Sequence, residues 1–245
     1  METQQRLQKI LAAAGIASRR KCEELILEGA VQVNNRTVDT LPAFADPDSD
    51  VITVNGRRIQ SQRKVYFLLN KPKGVICTSD DPQGRKKAVD FIPIKERIFC
   101  VGRLDVDTSG LIILTNDSEL TNRLTHPKYK VPKTYIAGVK GQLTTEAVEN
   151  IKKGLWLSEG KTGRAAVKIL KRSPAESLVQ MAISEGMNRQ IRRVFARLDL
   201  KVKSLKRVAI GKITDKGLGV GKFRTLHRSE IIYLQKATAT PMKRD

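Results

Sequence analysis

The sequence predicts an α+β protein in two parts: a small helix, helix, hairpin module, then a larger domain on a mixed, mainly antiparallel sheet. Three observations carry this. Two-residue Asn-Asn and Asn-Gly turn signals punctuate residues 1–56. A polar, basic stretch, residues 57–64, then reads as a linker. Beyond it strands outnumber helices too far for a regular βαβ alternation, which disfavours a doubly wound sheet.

In the first module Leu7, Ile10, Leu11 and Ala14 follow i, i+3, i+4, i+7 spacing and stop at Gly15, the pattern of a short amphipathic helix. Ser18 is placed to cap a second helix, whose apolar stripe is Cys22, Leu25 and Ile26 and which Gly29 closes. Val31, Val33 and Val38 then alternate around Asn34-Asn35, and Val51, Ile52, Val54 and Ile59 flank Asn55-Gly56, giving two hairpins. One local conflict stands out. Arg19, Arg20 and Lys21 occupy the first turn of the second helix, where the macrodipole disfavours cations. Either Glu23, Glu24 and Glu28 compensate them three and four residues on, or they are held out for phosphates.

In the second domain, 65–235, apolar runs at 65–69, 75–78, 98–101, 111–115, 134–139, 165–170, 178–183 and 231–234 read as strands. Helices are expected near 117–124, 144–154 and 189–198. The tail, 236–245, lacks apolar periodicity and is expected to be flexible.

Composition narrows the function. The formal net charge is +21, so the field of the molecule draws polyanions, and nucleic acid heads the partner list. The excess is clustered: residues 1–60 hold eight basic and eight acidic side chains, 57–87 nine against two, and 186–228 thirteen against two. Two separated stretches thus supply most of the positive field, although a solvated basic surface would also read this way. No apolar run approaches the length of a membrane helix and no secretory signal is visible, so no membrane partner is expected. Three scattered cysteines, Cys22, Cys77 and Cys100, offer no disulfide framework and suit a reducing cytoplasm. Neither zinc spacing, nor a phosphate-binding loop, nor a dinucleotide fingerprint is present, so no metal or nucleotide site is expected.

Between two apolar runs, Val-Gly-Arg-Leu-Asp-Val-Asp-Thr-Ser-Gly-Leu, residues 101–111, sets Asp105 and Asp107 beside Arg103. It imitates the start of a calcium loop, but the twelfth position is Asn116 and the flanks are strands. It also reads as a plain turn in which aspartates bond their own backbone, with Asp107 as the turn cap. The third reading is catalytic: a loop carboxylate acting on a sugar carbon, with an arginine engaging phosphate or base. Tyr135, within Lys133-Thr-Tyr, is either a half-buried sheet residue or a platform for a base.

Residues 185–197, Glu-Gly-Met-Asn-Arg-Gln-Ile-Arg-Arg-Val-Phe-Ala-Arg, read as a helix capped by Asn188, with Ile191, Val194, Phe195 and Leu198 buried. Arg189, Arg192, Arg193 and Arg197 line its margins, as a solvated face or with one arginine turned inward to pair with the catalytic aspartate. Such pairing matters, because burying a lone carboxylate favours its neutral form.

Residues 5–54, with Ser-Arg-Arg-Lys at 18–21, resemble the α-L RNA-binding domain of the ribosomal-protein-S-four type. That likeness implies that Arg19, Arg20 and Lys21 face RNA. The stretches around Asp105, Tyr135 and Asn188-Arg-Gln-Ile-Arg-Arg together resemble the RsuA/RluB/RluE/RluF family of pseudouridine synthases, over residues 5–235. The resemblance implies that Asp105 acts on the ribose of a flipped uridine, Tyr135 stacks on the base, Arg192 pairs with Asp105, and Arg103 fills the space left by the base. It further implies no cofactor, and substrate contacts from Arg189, Arg193, and Lys71 and Lys73 of Asn70-Lys-Pro-Lys-Gly-Val-Ile. That last string and Gly-Ile-Ala-Ser-Arg-Arg-Lys at 15–21 look closer to members acting on 23S than on 16S ribosomal RNA, and the net charge favours a monomer. A noncatalytic ribosome-assembly factor, or an RNA glycosidase that releases the base, are the rival readings.

Overall fold

A computed structural model describes residues 4–239. Two compact units divide the chain near Val65, with Ile94–Arg97 and Asn116–Ser118 joining the first.

The first unit comprises β1 (Gln5–Arg6), α1 (Leu7–Ala13), α2 (Arg19–Leu27), β2 (Val31–Val33), β3 (Arg36–Val38), β4 (Phe44–Ala45), β5 (Ile52–Val54) and β6 (Arg57–Arg58). Local chemistry accounts for nearly all of it. Ser18 Oγ accepts the Lys21 amide at 3.2 Å, the N-cap bond that the sequence calls for. Asn34 and Asn35 (φ 51° and 62°) and Asn55 and Gly56 (φ 48° and 74°) take the left-handed backbone of tight hairpins. Leu7, Leu11, Cys22, Ile26, Val31 and Ile52 close one small core. Arg57 and Arg58 pair with Val54 and Thr53, so the expected linker begins inside this unit.

The second unit carries a sheet ordered β13-β14-β10-β15-β9-β7-β17. Its elements are β7 (Tyr66–Lys71), β8 (Phe99–Cys100), β9 (Ser109–Thr115), α3 (Ser118–Thr125), β10 (Lys133–Lys140), α4 (Thr145–Lys153), β11 (Trp156–Leu157), β12 (Gly160–Lys161), β13 (Ala166–Arg172), β14 (Glu176–Ile183), α5 (Gln190–Ala196), β15 (Lys201–Ile210), β16 (Ile213–Thr214), β17 (Phe223–Thr225) and α6 (Arg228–Ala237). Every pairing along that order is antiparallel except β15 with β9, where Lys206 faces Ser109 and Arg207 faces Gly110. One core joins β10, β14 and β15 to α4 and α5. A second joins β7 and β9 to α3 and α6. The middle of the sheet, β9-β15-β10, lies where the two meet.

Three expectations are corrected. Residues 75–78 form no strand and make a single bridge, Ile76 to Lys87, because the Pro72 and Gly74 backbone turns away from a ladder. Residues 231–234 are helical, not extended: the Glu230 carboxylate accepts the His227 amide at 2.8 Å and caps α6, and only Leu234 of the run is fully buried. That helix runs through Ala237, past the expected start of the flexible tail at 236, and Thr238 is buried; residues 240–245 lie outside the described residues. No helix among the described residues is long and apolar enough to cross a membrane.

Candidate active site

The 101–108 loop is held along its length. The Val101 amide bonds the Ile113 carbonyl (2.8 Å), the Leu104 amide reaches Cys77 Sγ (3.4 Å), the Thr108 amide bonds the Asp105 carbonyl (3.0 Å), and the Val106 carbonyl accepts the Gly74 amide (2.8 Å). Gly110 closes the loop onto β15. With φ at +107°, it has no room for a side chain, since an added Cβ would lie 2.6 Å from the Arg207 nitrogen. The loop that leads into this contact puts Asp105 on the wall of the cavity that Tyr135 of β10 and Arg207 of β15 also line.

Asp105, Arg103 and Tyr135 line one cavity of about 780 Å³, together with Lys133, Arg189 and Arg207. The volume suits a single nucleotide-sized group. Arg207 is the cross-strand partner of Tyr135, and its guanidinium lies 6.0 Å from the ring centroid. Its Nε donates to the Leu111 carbonyl at 2.5 Å. Burial, with Arg207 adding its charge, pushes the Lys133 ammonium down to about 8.

The arginine pairing differs from expectation. Arg189, not Arg192, pairs with Asp105, at 3.5 Å, and it bridges to Asp107 at 3.3 Å. Arg192 pairs instead with the Asp107 carboxylate at 3.1 Å and donates to the Asp107 carbonyl at 3.2 Å and Thr108 Oγ1 at 3.5 Å. The helix start explains the exchange. Arg189, in the left-handed region at φ 47°, is the N-cap in place of Asn188, which swings its side chain toward the loop and sends Arg192 to the loop's flank. Asp107 therefore anchors two arginines, and its carboxylate also takes a bond from its own backbone amide. Burial opposes its charge, but the Arg189 hydrogen bonds and the two guanidinium charges outweigh it and hold the carboxyl below its ordinary range.

Two further expected contacts fall elsewhere. Lys71 is fully buried, its ammonium bonded to the Pro72 and Val75 carbonyls, so it braces the backbone rather than meeting solvent. Arg193 is taken by Glu159 (2.5 Å) and Ser158 (2.7 Å). Lys73 is exposed and lines a second depression of about 580 Å³ with Asp107, Arg192, Lys201 and Lys203. In the first unit, Lys21 pairs with Glu24 (2.8 Å) and Glu28 (4.0 Å), whereas Arg19 and Arg20 are exposed and make no ion pair among the described residues. Sequence reasoning missed β15, and with it Arg207. It also missed that Cys77 and Cys100 meet: the Cys100 hydrogen bond holds the Cys77 thiol down to about 6 against burial, and the same contact raises Cys100. Among the described residues no cluster of three His, Cys, Asp or Glu could hold a metal.

A carboxylate among cations, in a nucleotide-sized cavity of a basic protein, is an arrangement suited to chemistry on a polyanion. Comparison with known proteins narrows the class: residues 65–197 match RNA pseudouridylate synthase and residues 5–41 match the S4 domain, so the chain belongs to the RNA pseudouridylate synthase family. It is 46% identical to ribosomal large subunit pseudouridine synthase B of Bacillus subtilis (strain 168), over 93% of this chain and 94% of that protein. An RNA pseudouridine synthase of Aquifex aeolicus (strain VF5) is 41% identical, over 98% of each chain. A crystal structure of a pseudouridylate synthase superposes with a TM-score of 0.69 at 31% identity, covering 94% of this chain and 99% of that one.

Proposed function

We propose that this protein converts a specific uridine of large-subunit ribosomal RNA to pseudouridine, with Asp105 as the essential carboxylate. The observation that carries the reading is the convergence of Asp105, Tyr135 and Arg103, from a loop and a distant strand, on one cavity of about 780 Å³. The target nucleotide leaves its stack, Tyr135 packs on the base, and Arg103, which is exposed at the rim, takes the vacated place. As the C1′–N1 bond breaks, its electron pair stays with the base, and the Asp105 carboxylate meets the deficit at C1′. The freed ring turns, C5 bonds C1′ as the carboxylate leaves, the C5 proton is lost with Tyr135 assisting, and N1 is protonated. The exchange is redox-neutral and balances without a cofactor.

Arg189 and Arg192 serve the loop in turn, the first by pairing with Asp105 and the second by fixing Asp107 and Thr108. Arg19, Arg20, Lys21 and Lys73 supply backbone contacts whose strength falls with salt. The large-subunit assignment rests on the Bacillus subtilis relative. The net charge of +21 favours a monomer that works on RNA, and three scattered cysteines suit a reducing cytoplasm.

Ribosomal RNA from cells lacking the gene, mapped by carbodiimide-blocked reverse transcription, tests this. A stop in 23S RNA is expected to return with the wild-type gene and not with Asp105→Asn. A stop restored only in 16S RNA overturns the large-subunit assignment, and free uracil in place of a mass-silent change shows a glycosidase instead.

A further inference from the structure

Two cations on the cavity, one buried and one half-buried, have no use in the steps above. Arg207 is 4% exposed and Lys133 opens β10 two residues before Tyr135. Neither makes an ion pair among the described residues. Arg207 spends its Nε on the Leu111 carbonyl and sets Nη1 3.5 Å from Tyr135 Oη, and the Lys133 ammonium has one long bond, 3.4 Å, to the Leu124 carbonyl. The cavity's carboxylates are engaged elsewhere: Asp105 with Arg189, and Glu185 with the Gly163 amide and the Gln190 side chain. Arg103 adds to the positive charge and Tyr135 is the other titratable group on the wall. Covering two like charges on one cavity wall, Arg207 almost fully and Lys133 in part, without a counterion is costly, so the site is built to receive negative charge.

We infer that Lys133 and Arg207 form the receptor for the negative charge that the uracil ring carries between leaving C1′ through N1 and rejoining it through C5. The inference rests on the reading of the site as a uridine isomerase. Lys133 donates to a ring carbonyl oxygen and is a catalytic residue in that sense. Arg207, behind Tyr135, is a positioning residue that adds field and holds the phenol. In the breaking step the C1′–N1 pair becomes charge shared over N1, O2 and O4. In the joining step the pair returns through C5 to C1′ and the charge is discharged. Charge that exists only between two bond changes is where fixed cations accelerate most, because they meet no such charge in the bound uridine. A cation bound to the nucleotide's phosphate would instead strengthen binding of substrate and intermediate alike.

Because replacing the buried Arg207 risks the fold, Lys133 carries the test, in the full chain under single-turnover conditions with a 23S fragment bearing the mapped uridine. Lys133→Gln is expected to slow pseudouridine formation about 10²-fold or more, with the RNA dissociation constant within twofold of wild type. The wild-type rate should fall as pH rises through about 8, where the Lys133 ammonium loses its proton. Lys133→Arg should restore most of the rate and abolish that falling limb. A Lys133→Gln rate within threefold of wild type, or a defect confined to RNA affinity, overturns the inference. The wild-type chain and Asp105→Asn measured alongside separate the two readings: a wild-type chain that forms no pseudouridine fails the isomerase reading first, whereas an Asp105→Asn chain that keeps the wild-type rate removes Asp105 from the chemistry and leaves the Lys133 result to decide this inference.

Discussion

The two cationic clusters of this protein obey opposite rules. Arg19, Arg20 and Lys21 stand in solvent at the start of α2, against the helix dipole, and only Lys21 has acidic partners. Lys133, Arg192 and Arg207 are largely covered, and hold a loop or a strand partner as well as a charge. Solvent and salt screen each exposed cation, so the first cluster works by number and over distance. On the cavity wall, for Lys133 and Arg207, and at the flank of the loop, for Arg192, screening is weaker and each charge counts individually. If the proposed roles hold, recognition of the RNA and chemistry on one nucleotide should separate by mutation.

The sharpest break should come at Gly110, where the two halves of the site touch. Gly110→Val drives a side chain into the Arg207 backbone at a φ of +107°, and is expected to cost about 3 kcal/mol or more of unfolding free energy together with activity. Urea denaturation reads the first quantity. Next, Arg192→Ala removes one of the two arginines on Asp107 and the bond to Thr108 while leaving Arg189 on both Asp105 and Asp107; single-turnover rates should drop about tenfold to a hundredfold with little change in RNA affinity. Combining it with Asp107→Asn should add less than the sum of the two losses, since they share one contact. Smallest is the exposed cluster: Arg19→Ala with Arg20→Ala should weaken RNA binding several-fold and reduce the slope of log affinity against log salt by about 1 to 2. An unchanged slope would remove those arginines from the interface.

Legibility follows the same division. In the first unit the caps, turns and apolar spacing are local, and Ser18, Asn34-Asn35 and Asn55-Gly56 announce their roles directly. In the second, the Asp105 loop and the buried face of α5 were readable, because a turn and a helical stripe each span few residues. Which arginine meets Asp105 was not, since it depends on the left-handed backbone of Arg189. Strand β15 escaped detection for a related reason: its pairing with β10 shifts register at Thr134/Tyr135 and Gly138/Val139, which destroys the two-residue alternation a sequence pattern needs. Losing that strand hid Arg207, and Lys71 and Arg193 looked available only because burial and ion pairing are long-range facts.

A crystal structure of the full chain with a 23S fragment carrying the mapped uridine tests the central claim most directly. The account predicts that uridine extruded into the cavity, its C1′ about 3–3.5 Å from an Asp105 carboxylate oxygen and its ring between Tyr135 and Lys133. A target uridine left stacked in its strand, with Asp105 farther from every sugar than its side chain can reach, would contradict it.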